Sequence, residues 1–241
     1  MSQDEPNFDV IWPRENLQPP QPGKPPLTRD QIVTAAIAIA DEQGLDALSI
    51  RRIATRLGVG ATSLYWHVKS KDDLYELMFD STTAEIELPE PTSDWRADLR
   101  AVALRTHEVH ARHRWVILLG IQPSIGPSLQ RYGEFIDRVL GPLGLDRQAR
   151  TDTIAIVNNY IFGFAHRETA WARLRERAGL TGEQWQQRLD GYLEQARTAD
   201  PVLAAVIESR LHLTSQQSFE YGLDCVLDGI ASRILARPAA G

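Results

Sequence analysis

From Thr28 to Leu235, apolar residues recur every three or four positions and never alternate singly, so the pattern predicts helices and no strands. Ile32, Ala35, Ala36, Ile39 and Ala40 share one face of a first helix. It begins at Thr28, which with Gln31 has the spacing of a capping box, and stops at Gly44. A second helix opens at Ser49 as N-cap, buries Ile50, Ile53, Ala54 and Leu57, and closes at Gly58 after barely two turns. After LGVGAT a third short helix is expected from about Thr62 to Val68, with Leu64 and Val68 inward. Ser70 with Asp73 then caps a fourth that continues through LYELMFDSTTAEI. The prolines of LPEP, residues 88–91, interrupt the pattern.

Beyond this break the helical spacing resumes. WRADLRAVALRTHEVHARH carries Trp95, Leu99, Val102, Thr106 and Val109 along one side, and RWVILLG reads as a short apolar helix closed by Gly120. Pro127 opens a helix running to Leu140, and Asp146 caps a long one reaching about Arg177. Thr181 heads another capping box, residues 198–213 hold a short helix, and the last helix spans about Thr214 to Leu235. Phe219, Leu223, Val226, Leu227, Ile230 and Ile234 keep that last helix apolar over several turns, which suits either a core or a four-helix dimer interface. The expected fold is all-α, with a small domain over 28–88 and a larger helical bundle over 92–241. Residues 1–27 hold half of the 14 prolines and are expected to be a disordered or extended arm, with Lys24 and Arg29 near a position to reach phosphate.

Composition narrows the class. With 43% hydrophobic and 24% charged residues, and no apolar run near the ~20 residues of a bilayer span, no membrane role is expected. The start MSQDEPNFDV lacks a basic and then apolar leader, which points to the cytoplasm. The single cysteine, Cys225, lies in an apolar helical pattern and is expected to be a small buried hydrophobe. Net charge is -6, yet between Gly44 and Lys71 the only acid is Asp46 against Arg51, Arg52, Arg56, Lys69 and Lys71. An acidic chain thus carries one locally cationic segment.

Two-turn helices are unstable alone, and a short pair joined by a glycine-containing turn is the arrangement that places a second helix in the major groove. The stretch SIRRIATRLGVGATSLYWHVKSKDDLYELM resembles the DNA-binding helices of the TetR family of transcriptional repressors, and LYWHVKSK is especially close to the tetracycline-repressor-like subgroup. The match runs from about Leu27 to Asp80. Looser similarity continues through DWRADLRAVALRTHEVHARHRWVILLGIQP and GPLGLDRQARTDTIAIVNNYIFGF. The resemblance implies a regulator, expected to be a repressor, that binds a palindromic double-stranded DNA operator as a homodimer. It places Tyr65, Trp66, His67 and Lys71 against the operator, the tyrosine at base edges and the others mainly at phosphates, and gives Arg51 a bidentate guanine contact. Ser49, Thr62 and Ser63 are further candidates. Ala61 and Thr62 stand where the subgroup has glutamine and proline, so a different operator sequence is expected.

The resemblance also implies a small-molecule effector inside the second domain, with Phe79, His107, Leu118, Ile121, Gln122, Phe135, Asn158 and Phe162 as candidate contacts. In the subgroup the stretch matching LLGIQP carries a histidine and a threonine that bind a magnesium–tetracycline chelate. Here those positions read as Leu118 and Ile121, which offer no lone pair to a metal, so a more apolar effector is expected. His107, His110 and His113 invite a metal reading, but no cysteine or acid completes a set and 107 and 113 point to different sides. They are expected to line a pocket or face solvent, with no metal and no cofactor. A helical-bundle enzyme built on these histidines is the rival from another class, and no P-loop, nucleophile elbow, dinucleotide fingerprint or HExxH supports it, so no catalytic residue is expected. A DNA-binding dimer without an effector is the second rival.

Overall fold

The computed structural model describes residues 27–119, 126–212 and 216–235. The proline-rich arm, including Lys24, lies outside them, as do Ile121 and Gln122. Every regular element among the described residues is helical, as the 3.6-residue spacing requires.

The chain divides into two compact units, one holding the residues up to Glu87 with Leu118–Glu134, the other Leu88–Ile117 with Phe135 onward. In the first unit, α1 (Arg29–Gln43) starts at the Thr28–Gln31 capping box, in which both reciprocal bonds form, at 3.2 and 3.0 Å. Two orphan amides at the helix start are thereby satisfied. α2 (Ile50–Leu57) has Ser49 as N-cap and ends at Gly58, whose φ of 65° is a left-handed conformation that a side chain would disfavour. α3 (Ala61–Tyr65) is shorter than its apolar spacing suggests and stops with Trp66 as C-cap. α4 (Lys71–Ala84) follows Ser70. Ile32, Ala36, Ile39, Ile53, Leu64, Val68, Leu74 and Met78 form the core of this unit, each almost wholly removed from water.

The first unit also contains the start of α6 (Pro127–Leu140). The α6 start has Gly126, which offers no side-chain cap. The carboxylate of Asp80 on α4 performs that service, accepting from Ser128 N and Ser128 Oγ at 2.9 Å each. Asp80 is buried, and a Cβ on Gly126 would overlap its Oδ1. The bare glycine therefore makes room for a buried anion at a helix start, where free amides stabilise it. Arg131 adds a bond to the Ala84 carbonyl at 3.0 Å.

In the second unit, α5 (Trp95–Arg112), α7 (Arg147–Arg177) and α10 (Gln216–Leu235) pack on one another. α5 and α10 run antiparallel. Arg96 reaches Asp228 at 2.6 Å, and Arg100 reaches Asp224 and Glu220 at 3.1 and 2.8 Å, while the apolar faces meet beneath these pairs. Tyr160 of α7 donates to the Phe219 carbonyl at 2.7 Å across Gly222, where a Cβ would collide with its hydroxyl. α8 (Gly182–Ala199) and α9 (Pro201–His212) form a hairpin. Thr181 and Gln184 make the expected capping box, and Asp200 caps α9 through Val202 N and Leu203 N at 3.0 Å each.

Two sequence expectations need correction. RWVILLG is not an α-helix; its Val116–Leu119 part is a single 3-10 turn, too short to hold longer regular structure. Cys225 is exposed, because Leu223 and Leu227 take the inward side of α10 and leave the position between them facing out. By contacts the described part of Leu118–Glu134 groups with the first unit, where the Asp80–Ser128 bonds hold it.

Candidate functional site

The first candidate surface is built by α2 and α3. Ile53, Ala54, Leu64 and Val68 are buried where α2 packs on α1 and α3 on α2, and the turn at Gly58–Gly60 sets the angle at which α3 leaves. What remains outside is unusual for a solvated face. Tyr65 is 55% and Trp66 61% exposed, two large rings side by side in water. Ser49, Arg51, Ala61, Thr62 and Lys71 are exposed around them, and Ser63 is half-buried.

Charge is divided unevenly over this head. Arg56 is held by Glu42 through two bonds of 2.8 and 2.6 Å, a fork that ties α2 to α1. Arg51 and Lys69 have no ion-pair partner among the described residues, so their charge is available to a ligand. The Lys71 ammonium lies over the Tyr75 ring at 5.2 Å from its centre, and the Tyr75 hydroxyl foremost holds its pKa above the ordinary lysine value. The N-terminus of α4 is partly neutralised by its own acid, since Asp73 accepts from Lys69 N at 3.2 Å and from Ser70 Oγ at 2.7 Å.

His67 departs from expectation. It is buried, because α3 ends at Tyr65 and residue 67 turns back under the head instead of continuing the exposed helix face. Burial, and secondarily Arg29, lowers its pKa below the usual histidine value, so the ring is neutral at neutral pH. As placed, its ring is turned inward rather than presented outward.

The second candidate region lies on the inner side of α5. His107, His110 and His113 are all buried rather than facing solvent, and His107 and His113 meet different neighbours, His113 lying beside Trp115. α5 ends at Arg112 and the chain turns at His113, which folds it back into the unit. His107 Nε2 is 2.8 Å from Glu168 Oε2, while its ring stacks on Phe219 at 3.9 Å and meets the edge of Phe164 at 5.5 Å. His110 faces Phe162 at 4.8 Å, and its Nδ1 is buried without a hydrogen-bond partner among the described residues. Burial above all, then His107 and His113, pushes His110 down to about 4, so it is neutral and keeps a free nitrogen among aromatic rings. An unsatisfied buried nitrogen of this kind is where a ligand's hydroxyl or carbonyl gains most.

The remaining candidates separate. Phe135 is buried, and Asn158 and Phe162 are half-buried in the second unit. Phe79 and Leu118 are half-buried in the first. Sequence reasoning missed Glu168, Phe164 and Phe219 as the surroundings of His107, and nothing in a single sequence links positions 61 residues apart. His110 carried a readable signal, its one-turn spacing from His107. Among the described residues no cluster of three histidine, cysteine or acidic side chains has the geometry of a metal site.

Comparison with known proteins settles the family. Residues 32–78 match the bacterial regulatory proteins of the tetR family, and residues 88–234 match the tetracyclin repressor-like C-terminal domain. The chain belongs to the TetR family. A TetR-family relative, the HTH-type transcriptional repressor DrrR1 of Streptomyces coeruleorubidus, is 32% identical over 95% of this chain and 86% of its own length. The class A tetracycline repressor of Escherichia coli is 28% identical over 87% of this chain and 93% of its own length. Among solved structures, the TetR-family protein ActR of Streptomyces coelicolor in complex with actinorhodin superimposes with a TM-score of 0.68 at 28% identity, covering 87% of this chain and 99% of ActR. The two-helix head with its exposed aromatic pair is therefore the DNA-binding domain of a TetR-family transcription regulator, and the second unit is its ligand-binding domain. No described helix is long and apolar enough to cross a membrane.

Proposed function

We propose that this TetR-family protein is a repressor that holds a palindromic operator as a homodimer and is released when a small, largely apolar molecule enters the second unit. The observation that carries the DNA half is Tyr65 and Trp66 standing in water beside Arg51 and Lys71 on a two-helix head. Rings and cations in that order suit a duplex groove, with the tyrosine and Arg51 at base edges and Trp66 and Lys71 at the backbone. Thr62, Ser63 and Ser49 contribute hydroxyls, and Ala61 contributes a methyl. The Ser49 oxygen accepts from Arg52 N at 3.3 Å, which leaves its hydroxyl hydrogen free to donate.

Dimer formation is supported by outward positions on two neighbouring helices. Ile156 is half-exposed on α7, and Tyr221 and Cys225 lie outward on α10 while Phe219, Leu223, Leu227 and Ile230 face the core. Two such helices from each protomer make a four-helix interface. The effector half is supported by the buried, unpartnered nitrogen of His110 among Phe162 and His107, and by the existence of ActR complexes with small molecules. No catalytic role and no cofactor is assigned.

Selection of bound sequences from random duplexes tests the reading. An inverted repeat is expected. Arg51→Ala should relax one position in each half-site by ~1–3 kcal/mol, whereas Lys71→Ala weakens all sequences alike and flattens the salt dependence. Enrichment of no sequence, with the protein folded, would refute operator binding.

A further inference from the structure

A second feature of the ligand-binding unit lies away from the buried histidines. Between the C-terminal half of α7 and the start of α8 is a half-open cleft of about 310 Å³, lined chiefly by Arg114, Glu168, Trp171, Arg175, Trp185 and Gln186. Its volume stands at the lower end of the range for small-molecule sites, about 300–1,000 Å³. Trp171 and Trp185 meet edge to face, with ring centres 6.4 Å apart and planes at 68°, so two indoles from different helices form a corner. Both are only half-buried, which leaves ring surface facing the cleft.

The charges around this corner are poorly matched by the protein itself. Arg175, half-buried, has no side-chain partner among the described residues. Arg114 has only Glu176 at 3.7 Å, between two side chains that are both at least half-exposed. Glu168, the one acid in the lining, is engaged by His107 at 2.8 Å. In a chain of net charge -6, two guanidiniums against the single acid of the lining, itself engaged by His107, give this aromatic cleft a local positive balance. Guanidinium recognises carboxylate in the plane, and indole faces recognise flat apolar rings.

We propose that this cleft binds a planar aromatic acid, its ring system against Trp171 and Trp185 and its carboxylate between Arg175 and Arg114. The carboxylate of Glu168 lies on the inner side and accepts from any hydroxyl the ligand carries there. Because Glu168 also holds His107, which stacks on Phe219 of α10, occupancy of the cleft acts on the α5–α10 core. The proposal rests on the reading of this unit as the ligand-binding part of the regulator and names a chemical class for one of its ligands.

The test uses the purified full chain and anthracene-2-carboxylate, whose absorption overlaps tryptophan emission, with 2-anthracenemethanol as the neutral analogue. Saturable quenching of tryptophan emission by the acid is expected, with the alcohol at least about tenfold weaker. Arg175→Ala should remove most of that preference and leave the affinity for the alcohol unchanged. Trp185→Leu should weaken both probes, and Arg188→Ala, on α8 but outside the lining, should change neither. Circular dichroism confirms that each variant is folded. Equal affinity for acid and alcohol, absence of saturation, or an Arg175→Ala protein that still prefers the acid would overturn the proposal. Release of DNA is not the readout, so a regulator that responds to another compound leaves this result intact.

Discussion

Replacing Asp80 by alanine removes the buried carboxylate that caps α6. In the parent, Ser128 donates to it twice, from N and from Oγ, at 2.9 Å each. Hydrogen bonds to a charged group contribute about 1.5–3 kcal/mol each, but the two share one side chain and one helix end, so the loss is not their sum. A total near 2–4 kcal/mol is expected, at the upper side of what losing an N-cap alone produces. Asp80→Asn keeps an acceptor for the Ser128 amide and lets Ser128 Oγ accept instead of donate, so about 1 kcal/mol is expected, mainly the charge–dipole part. Gly126→Ala leaves the carboxylate in place but puts a methyl on its Oδ1, forcing it away, so this substitution should destabilise like Asp80→Ala. Urea unfolding followed by far-ultraviolet circular dichroism reads these differences as midpoint shifts of about 1–2 M for the alanine variants and about 0.5 M for Asp80→Asn, for slopes of ~2 kcal/mol per M. The double variant decides the matter. Since both changes break one contact, Asp80→Ala with Gly126→Ala should be little worse than either alone. A double variant that loses the full sum, or an Asp80→Ala protein within about 0.5 kcal/mol of the parent, would refute the account.

Other expectations follow from the same geometry. His110 is held neutral, with its folded pKa near 4 below the unfolded 6.5, so its burial contributes stability above about pH 6.5 that is lost as pH falls toward 4. That difference corresponds to roughly 3 kcal/mol, and His110→Phe should flatten the acid limb of stability measured against pH; an unchanged limb would count against it. Gly222→Ala should displace Tyr160 from the Phe219 carbonyl and destabilise by about 1–3 kcal/mol, and Tyr160→Phe in the same background should restore part of the loss by removing the clashing hydroxyl. Magnesium–tetracycline is expected to bind weakly or not at all, as calorimetry on the purified protein can check; tight binding would show that the Leu118 position does not govern metal capture.

Much of the fold was legible because the signals are local. The Thr28–Gln31 and Thr181–Gln184 capping boxes, Ser49, Ser70 and Asp146 as N-caps, and Gly58 as a left-handed stop act within four residues of chain, so their spacing alone carries them. The exposed pair Tyr65 and Trp66 was likewise readable from the inward turn of Leu64 and Val68. What failed depends on where a helix ends in space. His67 was expected on an outward face that stops two residues earlier. Contacts that close over long stretches, Glu168 to His107 and Asp80 to Ser128, have no local signature. The Trp171–Trp185 corner is of this kind, since it exists only because the chain reverses between α7 and α8.

The uncovered rings of Tyr65 and Trp66 have a consequence for the protein when no operator is at hand. Such a cationic tip is expected to rest on bulk chromosomal DNA at weak, sequence-blind affinity, so that the search for a target is expected to run along the polymer already held. A mutant with that tip made polar would be freer in solution and slower to arrive.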